Sequence, residues 1–337
     1  MPSPRRATLA TVAASAGVSV ATVSKVLNGR SDVAPATRSL VQSLLVQHDY
    51  VASAPRRGES AGQDTVEVQL DKELNAYSTE ILQGAVEAGA DVGVGVVVSV
   101  RQRAERPGAW ARDLADAGRR ALIAVTSELT TRHLSALSRA RLPLVMIDPL
   151  NLPRARVTSI GSTNFAGGLA ATQHLLSLGH RRIAYIGGHA TAACHQARMH
   201  GYRAAMEAEG AVVLPHYVQT GHFKYHDGVV GGATLLDLPE PPTAIFAGND
   251  ETALGIIEAA RARGLRIPDD LSIVGFDDTQ IAPMASPPLT TIRQPLREMG
   301  AVALRTGLRL AAGEKIDSHH VELATSLVVR RSTAVAR

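Results

Sequence analysis

Residues 8–28, TLATVAASAGVSVATVSKVLN, constrain this chain more than any other stretch. Leu9, Val12, Ala13 and Ala16 recur at helical spacing, Gly17 interrupts the pattern, and Val20, Val23, Val26 and Leu27 resume it. This predicts helix, tight turn, helix. Ser19 stands where the second helix needs an N-cap, its hydroxyl placed to satisfy an amide that the first turn leaves free. Outside the apolar stripe lie Ala21, Thr22, Ser24, Lys25 and Asn28, which are short, carry hydroxyl, amide or cationic groups, and include no acid. Such a face suits a polyanion. Charge follows the same division: residues 1–58 hold seven basic and two acidic residues, a net +5, whereas the whole chain carries +4. Positive potential is therefore confined to the N-terminal segment. Pro35 opens a third helix, where its missing amide donor does no harm, and Leu40, Val41, Leu44 and Leu45 form its apolar face.

Beyond residue 64 the pattern changes to strands alternating with helices of ten or more residues, the signature of parallel βαβ units. Strands are expected at VEVQL (66–70), VGVVVSV (94–100), ALIAV (121–125) and PLVMID (143–148), with helices over 77–90, 109–118 and 130–140 between and after them. The alternation restarts with a helix over 163–178 and strand RIAYIG (182–187), followed by helices over 195–209 and 226–236. Strand TAIFAG (243–248), a helix over 250–263 and strand LSIVGF (271–276) complete it. Two successive halves imply two Rossmann-like lobes around a cleft. Glu67 and Gln69 break the apolar run of the first strand, which predicts an edge position or a distortion.

With 337 residues and 45% apolar content the chain can bury more than one core. No apolar run reaches membrane-spanning length, and the N-terminus lacks the apolar core of an export signal, so a cytoplasmic location is expected. Cys194 is the sole cysteine, which excludes an internal disulfide and a cysteine-cluster metal site. Enzyme signatures are missing: the glycines of GADVGVGVVV precede a strand instead of following one, and neither a P-loop nor a G-x-S-x-G elbow occurs. Cys194, His195, His200 and the pair His319-His320 match no common ligand spacing. No catalytic residue, metal or cofactor is assigned.

The string AxxAGVSxxTVSxVLNG resembles the DNA-binding headpiece of the lactose-repressor (LacI/GalR) family of transcription regulators. Further along, GHRRIAYIGG, R-x-x-GY from Arg198, AGNDETALG, IPDDLSIVGFDD and SPPLTTIRQP are similar to landmarks of that family's effector domain, so the resemblance spans nearly the whole chain. It implies an α/β protein with an N-terminal three-helix helix-turn-helix headpiece (1–51), a linker or atypical hinge (52–64), and a two-lobed effector domain of the type I periplasmic-binding-protein kind (65–337). The lobes would comprise about 65–160 with 293–317 and 161–292 with 318–337, joined by crossovers near Ile160, Ile292 and Asp317. It also implies a sequence-specific repressor, a homodimer on double-stranded operator DNA, controlled by a sugar or small oligosaccharide. The absence of a C-terminal leucine heptad points to a dimer and not a tetramer.

Within the headpiece Val20, Ala21 and Lys25 are expected to read base edges in the major groove, while Thr8, Ser19, Thr22, Ser24 and Asn28 hold phosphates. The linker VASAPRRGESAGQD departs from the family, with no leucine to wedge into the minor groove. Arg56 and Arg57 are the candidates to follow that groove instead, against the plainer reading of a flexible linker. Polar residues after strands favour a ligand between the lobes. Asp148, Arg198, Asn249 and Asp277 match the family's effector-contacting positions, and Phe223 and Tyr77 match aromatic positions lining the cleft. Asp250 reads as a helix N-cap. Two other readings compete: a sugar-binding protein without a DNA role, which should lack the basic headpiece, and a Rossmann-like enzyme, which should carry a site motif.

Overall fold

The computed structural model describes residues 9–27, 33–48, 64–71, 74–101, 106–150 and 157–337. It divides into two compact units, one up to Gly62 and the other from Gln63 onward.

The first unit holds α1 (Leu9–Ala16), α2 (Val20–Leu27) and α3 (Pro35–Gln47). Gly17 takes the left-handed conformation, φ +64°, that a glycine adopts without strain. This lets the Val18 amide reach the Ala13 carbonyl at 3.1 Å and the Gly17 amide the Ala14 carbonyl at 3.4 Å, a Schellman closure of α1. Ser19 then caps α2, its Oγ accepting from the Thr22 amide at 3.1 Å. Val12, Ala13, Val23, Val26, Val33 and Val41 form the buried core, with Leu44 and Leu45 packed against it. Leu40, expected on the apolar face of α3, is 48% exposed, and Val20, which belongs to the apolar pattern of α2 but is also expected to meet base edges, is 46% exposed. The core stripe of α2 centres between Val23 and Val26, and at 3.6 residues per turn Val20 lies roughly 90° around the helix from it.

Each lobe of the second unit is a six-stranded sheet covered by helices on both faces, numbered here in chain order. Lobe 1 contains β1 (Thr65–Leu70), β2 (Gly95–Val100), β3 (Arg119–Val125), β4 (Leu144–Ile147), β5 (Thr158–Ser162) and β11 (His320–Leu323), ordered β11-β5-β4-β3-β1-β2. Its helices are α4 (Ala76–Asp91), α5 (Pro107–Asp116), α6 (Thr131–Arg139) and α12 (Leu296–Ala311). Lobe 2 contains β6 (Ile183–Ile186), β7 (Val218–Gln219), β8 (Ala244–Ala247), β9 (Ser272–Asp277), β10 (Thr290–Arg293) and β12 (Ser326–Val328), ordered β12-β10-β9-β8-β6-β7. Around them lie α7 (Asn164–Ser177), α8 (Ala193–Ala208), α9 (Tyr225–Leu236), α10 (Asp250–Arg261) and the single turn α11 (Ile281–Met284). All described strand pairs are parallel except β10 with β12.

Three segments cross between the lobes: β5 to α7 at Thr163, β10 to α12 at Gln294 and Pro295, and β11 to β12 at Ala324 and Thr325. The third falls after Asp317, where it was expected, so residues 320–323 belong to lobe 1 and not lobe 2. VELATSLV contains two strands, and Val321 and Leu323 pack on the lobe 1 core while Leu327 packs on that of lobe 2. With no glycine or proline at the break, the sequence reads as one element.

Of the two alternatives expected for β1, an edge position or a distortion, the structure has the second. The strand lies inside the sheet between β2 and β3, and Glu67 and Gln69 are buried. Glu67 pairs with Arg119 Nε at 2.7 Å, and Gln69 donates through Nε2 to Ser99 Oγ at 3.4 Å while its buried Oε1 finds no partner among the described residues. The expected distortion is present as a register shift against β3 between Thr65 and Glu67. β2, which reads as more apolar, holds the edge and leaves Val98 and Val100 half exposed.

Three helix pairs pack backbone to backbone through one recurring device. A Cβ added at Gly84 or Gly300 would lie 1.9 or 2.0 Å from the carbonyl oxygen of Arg297 or Ile81 on the other helix, locking α4 to α12. Gly168 and Gly201 lock α7 to α8 in the same way, and Gly228 and Gly255 lock α9 to α10. In each pair the carbonyl touched belongs to the residue three positions before the partner's glycine, which permits Cα–H···O contacts in both directions. Among the described residues no helix is long and apolar enough to cross a membrane.

Gly300→Ala should therefore force α4 and α12 apart and lower unfolding free energy by about 1–3 kcal/mol. Gly108→Ala is the control. That position lies in the first turn of α5, where the nearest atom to an added Cβ is the Arg112 side chain at 4.0 Å, and the helix should be unchanged or slightly more stable. Denaturant titration of both variants checks the difference.

Candidate functional site

On the headpiece, Val20, Ala21 and Lys25 stand exposed on the outside of α2, and Thr22 and Ser24 are half-buried beside them. Ser19 Oγ is engaged both by the Thr22 amide and, at 2.9 Å, by the Thr22 hydroxyl. Both groups therefore act within the helix before any other partner is considered. Thr8, Asn28, Arg56 and Arg57 lie outside the described residues.

In the second unit a cavity of 170 Å³ opens between the lobes at the carboxyl ends of their strands. Tyr77, Asp148, Arg198, Phe223, Asn249 and Asp277, scattered over 200 residues of sequence, all line it. Lobe 1 supplies Tyr77 from the first turn of α4 and Asp148 directly after β4. Tyr77 Oη donates to Asp148 Oδ2 at 2.6 Å. The rest come from lobe 2. Arg198, on α8, is 3% exposed and donates through Nε to Asn164 Oδ1 at 2.8 Å and through Nη1 to the Gly248 carbonyl at 2.6 Å. Nη1 also faces Asp277 Oδ1 at 3.7 Å, and the guanidinium lies over the Phe276 ring, 3.7 Å from its centre.

Phe223 owes its position to glycines after two strands. Its ring fills the space where a Cβ on Gly188 or Gly248 would stand, 2.1 and 2.7 Å from ring atoms. The Phe223 backbone, at φ +60°, is held by Asn249 Nδ2 donating to its carbonyl at 2.9 Å. Asn249 is also the N-cap of α10, its Oδ1 accepting from the Thr252 amide. Beneath Phe223, His195 Nδ1 accepts from the Gly188 amide at 3.1 Å. Burial, with Arg198 adding to it, pushes that imidazole down to about 4, so it is neutral at pH 7. Thr126, Asp148, Phe223 and Asp277, four of the six described non-glycine residues with positive φ, line this cavity. Strain of this kind persists where surrounding structure enforces it, and it collects at functional sites.

The electrostatics are nearly balanced. Burial raises the Asp148 carboxyl against the opposing hydrogen bond from Tyr77 and the charge of Arg198. Burial likewise pushes Asp277 up to about 7, opposed by Arg198 and by the Gln294 amide, which donates to its Oδ1 at 2.6 Å. Arg198 keeps its charge because the neighbouring carboxylates outweigh its own burial. Three carboxyls (Asp71, Asp148 and Asp277), the Arg198 guanidinium, the Lys224 ammonium and amide groups offer donors and acceptors without a strong net charge, which suits a neutral polyhydroxyl molecule.

Asp250 is not the N-cap expected of it. Asn249 has that role, and Asp250 is buried one residue later, accepting from the Thr279 amide and hydroxyl and from Thr291 Oγ1. Sequence reasoning passed over Asp71, Asn75, Thr126 and Lys224 as lining residues. Thr126 follows β3 as Asp148 follows β4, so the strand-end rule could have found it, and Asn75 is signalled by its capping box with Ser78. Burial pushes the Cys194 thiol up to about 11, so it is held protonated at neutral pH. Among the described residues no three His, Cys, Asp or Glu side chains are placed to hold a metal.

Two family descriptions match the sequence, "Bacterial regulatory proteins, lacI family" over residues 8–53 and "Periplasmic binding protein-like domain" over residues 172–333. Catabolite control protein A of Priestia megaterium is 31% identical over 97% of this chain and 99% of its own length. Among solved structures, the transcriptional regulator CelR–cellobiose complex superposes with a TM-score of 0.73 at 33% identity, covering 97% of this chain and 100% of that one. The lac repressor dimer bound to operator and the anti-inducer ONPF superposes with a TM-score of 0.72 at 27% identity, covering 98% and 100%.

The raised pKa of Asp277 has a measurable consequence. A carboxyl that holds its proton more tightly folded than unfolded contributes stability below pH 4 that is lost as pH rises through 7. Asp277→Asn cannot titrate and keeps an acceptor for Gln294. The melting temperature of the variant relative to the parent should therefore move in the variant's favour between pH 4 and pH 8. A difference independent of pH would contradict the assignment.

Proposed function

Because this chain belongs to the LacI family of bacterial regulatory proteins, we propose that it is a DNA-binding transcriptional repressor governed by a neutral sugar held between its lobes. The observation that carries the reading is the convergence of Tyr77, Asp148, Arg198, Phe223, Asn249 and Asp277 on one charge-balanced cavity, in a chain that also bears an acid-free, exposed recognition helix. Arg198 and the two aspartates would pair with hydroxyl groups, and Phe223 and Tyr77 would pack on the apolar face of a sugar ring. Asn249 would act chiefly by fixing Phe223, since its amide is already engaged. The cellobiose bound by CelR supports a carbohydrate as the class of ligand.

DNA would be bound by a homodimer, the form in which the lac repressor was solved on its operator, because one headpiece buries too little surface for tight specific binding. Val86 and Val92 in and after α4, with Val98 and Val100 on the edge strand β2, give lobe 1 an exposed apolar surface that a second copy would cover. Val20, Ala21 and Lys25 would meet base edges, and Thr8, Ser19, Thr22, Ser24 and Asn28 phosphates. Arg56 and Arg57 would replace a hinge helix by following the minor groove or its phosphates. A sugar carrier without a DNA role is disfavoured by the basic headpiece, and an enzyme by membership of a family of transcription regulators.

Selection of genomic fragments by the purified chain, followed by a panel of sugars, tests the whole reading. Failure to bind any duplex at low salt would refute it. Lys25→Ala should cost about 1–3 kcal/mol and relax preference at one base pair per half-site, and a uniform loss on all sequences would reassign Lys25 to a phosphate. Arg198→Ala should abolish the response to sugar while operator affinity is retained in fluorescence anisotropy.

A further inference from the structure

A second opening between the same two lobes adjoins the Arg198 cavity. Its volume is 1070 Å³ against 170 Å³, and Asp148 and Cys194 form a wall common to both. One side is the β5–β11 edge of lobe 1, with Gly161, His320 and Glu322, and the other is the outer surface of α7 and α8, with Phe165 and His200. Gly161 stands at the junction. A Cβ there would lie 3.2 Å from Asp148 Oδ1, so any longer side chain would enter the passage that the glycine leaves clear. Glu322 is close enough to Asp148 to help raise that carboxyl, behind burial, so the two compartments are also linked electrostatically.

The lining has a definite chemistry. Phe165 presents an aromatic ring 48% exposed in a groove whose walls mix apolar groups such as Pro149, Ala197 and Val321 with hydroxyl, imidazole and carboxylate side chains. The Glu322 carboxylate makes no ion pair among the described residues, and the His200 imidazole is exposed. His320 Nδ1 lies 2.9 Å from Ser159 Oγ, which orients its ring. No lysine or arginine is among the described residues lining the groove, so an anion would find no countercharge. An aromatic platform beside an uncompensated acceptor and an imidazole suits another neutral polyhydroxyl ring. The inner cavity, well below the ~300–1,000 Å³ of pockets that hold drug-sized molecules, has room for one such ring and not two.

We propose that this groove is a second subsite, and that the effector is an oligosaccharide or glycoside of at least two units. One unit occupies the Arg198 cavity, and the next passes Asp148 at Gly161 to lie on Phe165 within reach of Glu322 and His200. This rests on the sugar reading above.

Calorimetry on the full chain with graded series tests it: glucose, cellobiose and cellotriose; galactose and lactose; xylose and xylobiose. In the series that binds, the second unit should raise affinity by about tenfold or more, and Phe165→Ala and His200→Ala should each remove several-fold of that gain while leaving monosaccharide affinity unchanged. A monosaccharide that binds as tightly as its disaccharide, or a ratio unaltered in both variants, overturns the second subsite and leaves the single-ring reading in place. Absence of binding by every sugar overturns both.

Discussion

A buried guanidinium is the constraint around which the effector domain is arranged. Arg198 is 3% exposed, and an unpaired charge at that depth would cost several kcal/mol. Its partners come from three different elements: Asn164 from the start of α7, the Gly248 carbonyl from the end of β8, and Asp277 with the Phe276 ring from the end of β9. The requirement runs both ways, since Asp148 and Asp277 are raised by burial and Arg198 is the cation that counters it. Three loop ends and one helix are thus held in register by a single side chain. The same group that would recognise a hydroxyl also assembles the site.

From Arg198 the contacts lead directly into the crossovers. Asp277 accepts from the Gln294 side-chain amide, which sits on the β10-to-α12 crossing, and Gln294 Oε1 accepts from the Ser162 hydroxyl at the end of β5. Thr163 and Thr325, on the other two crossings, are joined hydroxyl to hydroxyl at 3.0 Å, and the Thr163 amide donates to the Leu323 carbonyl. A molecule that draws Asp277 toward itself therefore competes with the hydrogen bond that reaches the hinge. A ligand shifts an equilibrium only by the difference in its affinity for the two states, and contacts shared between cavity and hinge are a direct source of such a difference.

Legibility from sequence divides along physical lines. The helix-turn-helix was readable because periodicity, Gly17 and Ser19 act within a few residues of one another, and local geometry decides them. Asp148, Asn249 and Asp277 are recognisable by position, since strand ends in an open α/β sheet converge whatever their separation in sequence, whereas Tyr77, Arg198 and Phe223 rest on the family resemblance. Partnership is not legible. Nothing in the letters reveals that Asn249 spends its amide on Phe223 and Thr252, that Asp250 is satisfied by Thr279 and Thr291, or that Glu67 can sit inside a sheet because Arg119 arrives from 52 residues away. The β11–β12 crossing escaped for a related reason: Ala324 and Thr325 carry no breaker, and only the packing of Val321 and Leu327 on different cores divides that run.

The reciprocal glycine pairs explain how such a cavity could act at a distance. Backbone-to-backbone packing at Gly168 and Gly201 fixes α7 against α8 with no side chain free to adjust between them, and a carbonyl engaged in it is that of Arg198 itself. α7 begins at the first crossing and α8 carries the guanidinium, so a force on Arg198 is delivered to Thr163 by two helices that cannot slide independently. Gly84 and Gly300 do the same in lobe 1, coupling α4, which supplies Tyr77, to α12, which begins at the second crossing. Interiors packed this closely are not continuously deformable. Displacement at the cavity is left one soft route, rotation of one lobe on the other about three short crossings, and this is the form of motion that hinge-bending proteins exploit.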